Sequence, residues 1–414
     1  MHAQDGLCFE NVPLNAIADQ FGTPVWAYGA GTIRSRYAAI QTAFATAGLS
    51  PHIHFAVKAN DHLAILRLLN QCGTGADVVS LGEVLRALKA GVAPGHIVFS
   101  GVGKTSVELH EALARGIGQI NVESPAELAM LSAIASSMGA TARIVFRINP
   151  DVDAGTHAKI TTGKADNKFG IAAADIPGLY DRAATLPGIH PVGLALHIGS
   201  QISSPAPYAA AYAKAATLIR ALRESGQKVS VLDLGGGLGI GYQDEPGMNL
   251  TAFANMVRRE VGDLGVELML EPGRYLVAPA GVLLASVILE KHGGEKRFVV
   301  LDAAMNDLIR PALYESWHGI LPASAVDYLQ PVSPADIVGP VCETGDTFCE
   351  GRALPAFSPG ARIAFLDAGA YGAVMSSTYN ARPRAAAVLI DAGRAHLISP
   401  RQTLEELWAH EILP

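Results

Sequence analysis

The chain has 414 residues, half of them hydrophobic and 17% charged, with a formal net charge of -7. That length exceeds one simple core, so two domains are expected. The mild negative charge without basic clusters argues against a nucleic-acid partner, and the longest apolar run noted, "GVLLASVIL" at 281–289, is too short to span a bilayer.

The start, "MHAQDGLCFENVPLN", lacks a basic region followed by an apolar run, so no signal peptide is expected. Cys8, Cys72, Cys342 and Cys349 are scattered, without CxxC pairs or zinc spacing. Free thiols in a reducing cytoplasm, and no metal, are the expectation.

In chain order, "TPVWAYG" is a β-like piece before the main repeat begins. Eight strand-like runs follow: 52–57, 75–80, 96–101, 119–124, 143–149, 191–199, 229–237 and 266–274. Near-continuous apolar runs mark strands buried on both faces, as in parallel sheets. Helix-start chemistry lies between them. Ser80 to Glu83 and Thr105 to Glu108 read as capping boxes, and Ser124 is followed by Pro125 at the first helical position. A helix is expected from Asp61, striped by Leu63, Leu66 and Leu69. Leu128, Leu131, Ile134 and Met138 stripe another, which Gly139 can end. Eight βα units predict a (β/α)8 TIM barrel, an α/β fold. The polar segment 150–170 is a long loop inside it, and a lid is one reading of its length.

After about residue 282 the texture changes to short β-like runs broken by Gly, Pro and Asp, apart from a helix-like "QTLEELW" tail. The expected domains are an N-terminal segment 1–30 joining the β domain, a barrel 31–282 and a C-terminal β domain 283–414.

Catalytic groups of such a barrel sit where strands end. Those ends deliver Lys58, Ser80, Glu123, Arg147, His197, Gly235 to Gly237, and Glu271 to Arg274. Three glycines after the seventh strand let backbone N–H groups approach an anion, and that loop is a usual phosphate site of the barrel. They do not form a Rossmann fingerprint, since no acidic residue follows at the right place. An anion site plus a strand-end lysine suggests pyridoxal phosphate, whose aldehyde needs an unprotonated amine. Glu271 is then the candidate partner for the ring nitrogen, or a loop carboxylate paired with Arg274. His197 either stacks on the ring or is a core histidine satisfied by backbone. Lys58 by itself could be a solvated strand end.

"FAVKAN", "HIGSQ", "GGGLGI", "EPGRYLV", "RPALY", "GPVCETGD" and "AGAYG" occur in one order that resembles the diaminopimelate decarboxylases, over roughly residues 20–400. "NPDVDAGTHAKITTGKADNKFGI" resembles that family's long loop. The family belongs to the class 2 Orn/Lys/Arg decarboxylases, pyridoxal-phosphate enzymes with an alanine-racemase-like barrel and a β domain. The resemblance implies that Lys58 bonds the cofactor and His197 stacks on it. Ser200, Gly235, Gly236, Gly237, Gly273 and Arg274 would surround its phosphate, Pro272 would also contact the cofactor, and Glu271 would face its ring nitrogen. Arg274, Arg310 and Tyr314 would hold substrate carboxylates. Arg310 and Tyr314, four apart around Pro311, share a face if a helix starts there. Tyr371 would touch both phosphate and substrate. Cys342, as proton donor, and Glu343, on the distal ammonium, would enter from a partner subunit in a homodimer. The usual "CESGD" reads "CETGD" here, and Ser to Thr keeps the hydroxyl.

The implied reaction is decarboxylation of meso-2,6-diaminopimelate to L-lysine, the last step of lysine biosynthesis. Its rivals are ornithine, arginine or carboxynorspermidine decarboxylation on the same scaffold, amino-acid racemisation, and a non-catalytic cofactor-binding regulator. Ornithine and arginine lack the distal carboxylate that Arg274, Arg310 and Tyr314 would meet. A regulator should lack Lys58 or Cys342.

Overall fold

The structure is a computed structural model describing residues 6–153, 168–243 and 245–414, with the backbone of 2–3. Residues 154–167, most of the long polar loop, lie outside the described residues. The chain forms two compact units, Ser35–Gly241 with Pro246–Tyr275, and Met1–Arg34 with Tyr242–Glu245 and Leu276–Pro414.

The first unit is the expected barrel. Its strands are His52–Ala56, Gly75–Val78, Ile97–Phe99, Gln119–Val122, Ala142–Asn149, Ile189–Leu196, Val231–Asp233 and Glu267–Leu270. Each pairs in parallel with the next, and the last pairs with the first. Local chemistry explains the helices between. Ser80 Oγ accepts the Glu83 N–H at 3.3 Å, Thr105 and Glu108 close a full capping box, and Ser124 caps a helix begun by Pro125. Gly139 ends that last helix at φ +61°, a left-handed conformation that suits glycine. Its buried face is Leu128, Leu131 and Ala135, with Ile134 and Met138 only partly covered.

Two local details differ from expectation. The first strand ends at Ala56, and Lys58 rides on a 3-10 turn, Val57–Ala59. The following helix begins at Leu63 rather than Asp61. Asn60 is the reason: its Oδ1 accepts the His62 N–H at 3.2 Å, a local turn that competes with helical bonding. That helix buries Ile65, Leu66, Leu68 and Leu69, with Leu63 at the margin.

The second unit is mostly sheet. Val25–Gly29 lies antiparallel to the long strand Gly281–Gly293 and parallel to Ala386–Asp391, so the N-terminal strand does join the β domain. Gly281–Gly293 also pairs with Arg362–Phe365 and Lys296–Leu301, which makes it the spine of this unit. Its apolar run is buried from Gly281 to Ala285. The "QTLEELW" tail holds only a 3-10 turn, Glu405–Leu407, instead of a helix, and a short helix, Arg310–Tyr314, interrupts the strands. Three turn residues without a packed face cannot sustain a longer helix at the tail. Among the described residues no helix is long and apolar enough to cross a membrane.

One buried ion pair braces the barrel rim. Lys104 Nζ meets Glu127 Oε1 at 2.6 Å and the carbonyl oxygens of Gly101 and Asn121 at 2.8 and 2.7 Å. Glu127 also accepts the Glu123 N–H at 2.9 Å. Lys104→Ala would leave the Glu127 carboxylate buried without its cation. We expect a loss of about 3–5 kcal/mol in urea unfolding.

Candidate active site

The C-terminal ends of the barrel strands gather a set of polar groups. Lys58 Nζ lies 3.5 Å from Asp77 Oδ2 on the neighbouring strand. The Lys58 side chain is 35% exposed while that of Asp77 is 1% exposed, so a reachable amine stands on a buried acid. An apolar wall is therefore not the whole setting of this lysine. The Ala56 N–H donates to the Pro272 carbonyl at 3.3 Å, and a Cβ on Gly273 would press on Ala59 Cβ at 3.0 Å. These contacts seat the Lys58 turn directly against the "EPGR" segment.

Glu271 follows the eighth strand and is buried. It is hydrogen-bonded to Asp233, at the end of the seventh. Burial first, then the charges of Asp233 and Asp77, push the Glu271 carboxyl well above its ordinary 4.5. Asp233 is raised too, chiefly by burial. A hydrogen bond between two carboxyls needs a proton between them, so the pair titrates as a unit. Glu271 Oε1 is buried with no hydrogen-bond partner among the described residues. Asp233 also accepts the Gly235 N–H at 2.9 Å and Asn121 Nδ2 at 3.5 Å. Asn121 Nδ2 donates to Ser100 Oγ at 3.0 Å, and Gln119 Nε2 to Asn121 Oδ1 at 2.9 Å. Arg143 then reaches Gln119 Oε1 at 3.1 Å. A polar column thus crosses the barrel interior beneath Glu271.

His197 follows the sixth strand. Its Nδ1 accepts the Gly236 N–H at 3.3 Å. Burial, Lys58 and Arg147 hold its pKa well below 6.5, so the ring is neutral with its proton on Nε2. Arg147 is itself paired with Glu123 at 2.9 Å, and Glu123 accepts the N–H groups of Gly101 and Gly170 at 2.9 and 3.2 Å.

The glycine loop is packed to backbone contact. Gly235 and Gly237 have φ of +71° and +92°, and a Cβ on Gly236 would collide with the Glu271 carbonyl oxygen. Tyr208 and Tyr212, on the helix Ala206–Glu224, donate to the Gly236 and Leu234 carbonyls, both at 2.9 Å. The N–H groups of Gly235 and Gly236 are already given to Asp233 and His197. These two glycines thus allow close approach rather than supplying donors, which differs from the simplest reading of the run. The Ile202 N–H donates to Gly237 O at 2.9 Å, and Arg274 Nη2 to Ser200 Oγ at 3.1 Å. Ser200, the glycine loop and Arg274 are so drawn together around one rim.

A family profile described as "Pyridoxal-dependent decarboxylase, pyridoxal binding domain" matches residues 30–278. A curated relative from Zymomonas mobilis, named diaminopimelate decarboxylase, is 47% identical, covering 98% of this chain and 96% of its own. One of the same name from Pseudomonas fluorescens is 45% identical over 98% and 96%. The chain belongs to the diaminopimelate decarboxylase family. A solved diaminopimelate decarboxylase from Helicobacter pylori, complexed with L-lysine, superposes with a TM-score of 0.92 at 39% identity, covering 96% of this chain and 99% of that one.

The cofactor of the family is pyridoxal phosphate, and the barrel rim fits it. Among the described residues the rim holds a reachable amine on Lys58, a flat neutral imidazole on His197, a buried Glu271 oxygen without a hydrogen-bond partner that suits a ring nitrogen, and a glycine wall beside Ser200 and Arg274 that leaves room for a phosphate.

The remaining residues expected of a decarboxylase site lie in the β unit. Arg310 is buried and Tyr314 partly buried on their shared short helix. Cys342 is exposed, its N–H donating to Asn380 Oδ1 at 2.8 Å. Glu343 is exposed and hydrogen-bonded to the Tyr379 hydroxyl. Tyr371 holds a left-handed φ of +56°, unusual for a bulky residue.

Sequence reasoning passed over Asp77, Asp233 and Asn121. The available signal was an acid or amide set inside an apolar strand, where burial is expected and charge is not.

The raised Glu271 carboxyl makes a pH prediction for the cofactor-free protein. The unfolded chain loses this proton near 4.5, whereas the folded chain keeps it. Stability contributed by the group therefore falls as pH rises above 4.5 toward the folded value. Glu271→Gln should flatten that decline, so the variant gains on the wild type as pH rises above about 5 in urea titrations.

Proposed function

We propose that the chain decarboxylates meso-2,6-diaminopimelate to L-lysine and carbon dioxide with pyridoxal phosphate. The observation that carries this is the near full-length likeness to relatives of that name in a chain whose barrel rim sets Lys58 beside the partnerless oxygen of Glu271. The neighbour that holds L-lysine supports the product. Bound pyridoxal phosphate would draw the electrons of the breaking Cα–carboxylate bond into its ring.

The residues divide the remaining work. Lys58 holds the cofactor aldehyde, and Asp77 keeps its amine in place. Neutral His197 covers one ring face without adding charge. Glu271 meets the ring nitrogen with its Oε1. Ser200, Gly235, Gly236, Gly237, Gly273 and Arg274 surround the phosphate, Pro272 contacts the cofactor, and Tyr371 touches both phosphate and substrate. Arg274, Arg310 and Tyr314 bind carboxylates. Cys342 delivers the proton that replaces the lost carboxylate, and Glu343 binds the distal ammonium. The exposure of Cys342 and Glu343 supports their reaching a partner's site in a homodimer. Four free thiols support a reducing, cytoplasmic setting.

Carbon dioxide release from the purified holoenzyme tests the reaction. We expect turnover of meso-diaminopimelate and none of ornithine or arginine; the reverse pattern sinks the assignment. Lys58→Ala should lose the absorbance of covalently held cofactor. Equimolar mixing of Lys58→Ala and Cys342→Ala subunits should restore about a quarter of the activity if sites are shared. Confirmed heterodimers without recovery would count against sharing.

A further inference from the structure

Arg310 is held by neighbours that sequence reasoning did not single out. His318 Nδ1 lies 2.9 Å from the Leu366 carbonyl oxygen, which can only accept, so the proton sits on Nδ1. In the neutral ring Nε2 is then an acceptor. It lies 3.3 Å from Arg310 Nη1, which can only donate. The two contacts select one tautomer and the neutral state of His318. The same Nη1 donates to the Tyr242 hydroxyl at 3.0 Å, and Nη2 donates to Ser316 Oγ at 3.2 Å. The Tyr242 ring centre is 5.1 Å from the guanidinium and meets the His318 ring edge-on at 5.7 Å. These three acceptors are uncharged and fix the guanidinium plane.

Local structure builds this clamp. The helix Arg310–Tyr314 stops at Glu315, whose φ is +54°, and the turn folds Ser316 back to Arg310. His318 then precedes the strand Ile320–Pro322, which pairs with Arg362–Phe365. Leu366 donates its N–H to Gly319 O at 2.8 Å, so its backbone is tied both to the His318 ring and to the residue after it. Arg310 and His318 are 5% and 3% exposed, which leaves little room for other rotamers.

We propose that Tyr242 and His318 are positioning residues. They aim Arg310 at the carboxylate of the substrate's distal amino-acid head and so set the preference for ligands that carry that head. This rests on reading Arg310 as a carboxylate ligand. The carboxylate lost in the reaction is the one on the reacting carbon, so the product keeps the distal head. L-lysine therefore presents what Arg310 reads, while 1,5-diaminopentane, the same chain without a carboxylate, does not.

The test titrates L-lysine and 1,5-diaminopentane into the holoenzyme, following the absorbance of the bound cofactor. Tyr242→Phe and His318→Leu should each weaken L-lysine about tenfold and 1,5-diaminopentane by less than about twofold. KM for meso-diaminopimelate should rise in the same ratio with kcat nearly kept, the mark of lost uniform binding. His318→Gln, which returns an acceptor near Nε2, should recover part of what His318→Leu loses. Tyr242→Phe removes a single oxygen, so it carries the test if His318→Leu fails to fold. Equal weakening of both ligands, or no weakening of L-lysine in Tyr242→Phe, overturns the proposal. So does a wild type that holds the two ligands equally. If the wild type selects L-lysine but releases no carbon dioxide from diaminopimelate, the reaction assignment falls and the positioning role stands.

Discussion

One proton shared by two buried acids organises the barrel site. Asp233 and Glu271 end adjacent strands, and both face an interior where a bare pair of charges would be prohibitive. The proton between them removes one charge, and Asn121 and the Gly235 N–H steady Asp233. Glu271 Oε1 is left dehydrated and partnerless, a state that binding of a basic nitrogen would relieve. Asp77 adds to the same field, which raises Glu271 further and attracts the Lys58 amine. An amine and an acid of opposite function are thus set by one cluster of carboxyls.

Around that cluster, backbone does the spacing. Gly236 gives its N–H to His197, holding the imidazole in one tautomer, while Tyr208 ties the carbonyl of the same residue to the outer helix. The chain between Leu234 and Ile240 is therefore fixed from both sides, by His197, Asp233 and Gln201 within and by Tyr208 and Tyr212 behind. A loop tied at this many points has little freedom to rearrange, which is what preorganisation requires. In the β unit the same strategy reappears with a different charge. Hydroxyls and a neutral imidazole orient the Arg310 guanidinium.

Much of the fold was legible in the sequence for physical reasons that can be named. Strands buried on both faces read as apolar runs, and capping residues such as Thr105 and Ser124 announce their helices within four positions. Lys58 and Glu271 stand out in the sequence because a barrel puts its strand ends on one rim. Other features were hidden. Asn60 delays its helix through a side-chain bond that no periodicity records. The tail "QTLEELW" has helical composition but no face to bury.

The sequence by itself determined the alternation of strand and helix, the break in texture after the barrel, and which side chains could do chemistry, since all three depend on residues near one another in the chain. Only the tertiary structure decided how those side chains are charged and aimed. Asp233 and Glu271 are 38 residues apart by number and Asp77 and Lys58 lie on a different part of the barrel wall. Their shared proton exists because closure brings the seventh, eighth, first and second strands side by side in a medium too poor in water to solvate three separate charges. Likewise Tyr242 and His318 become partners of Arg310, and Leu366 of His318, through sheet pairing and a left-handed turn at Glu315. Hydrogen-bond direction, and with it tautomer and charge, is a property of the assembled neighbours and is written in no single stretch of the chain.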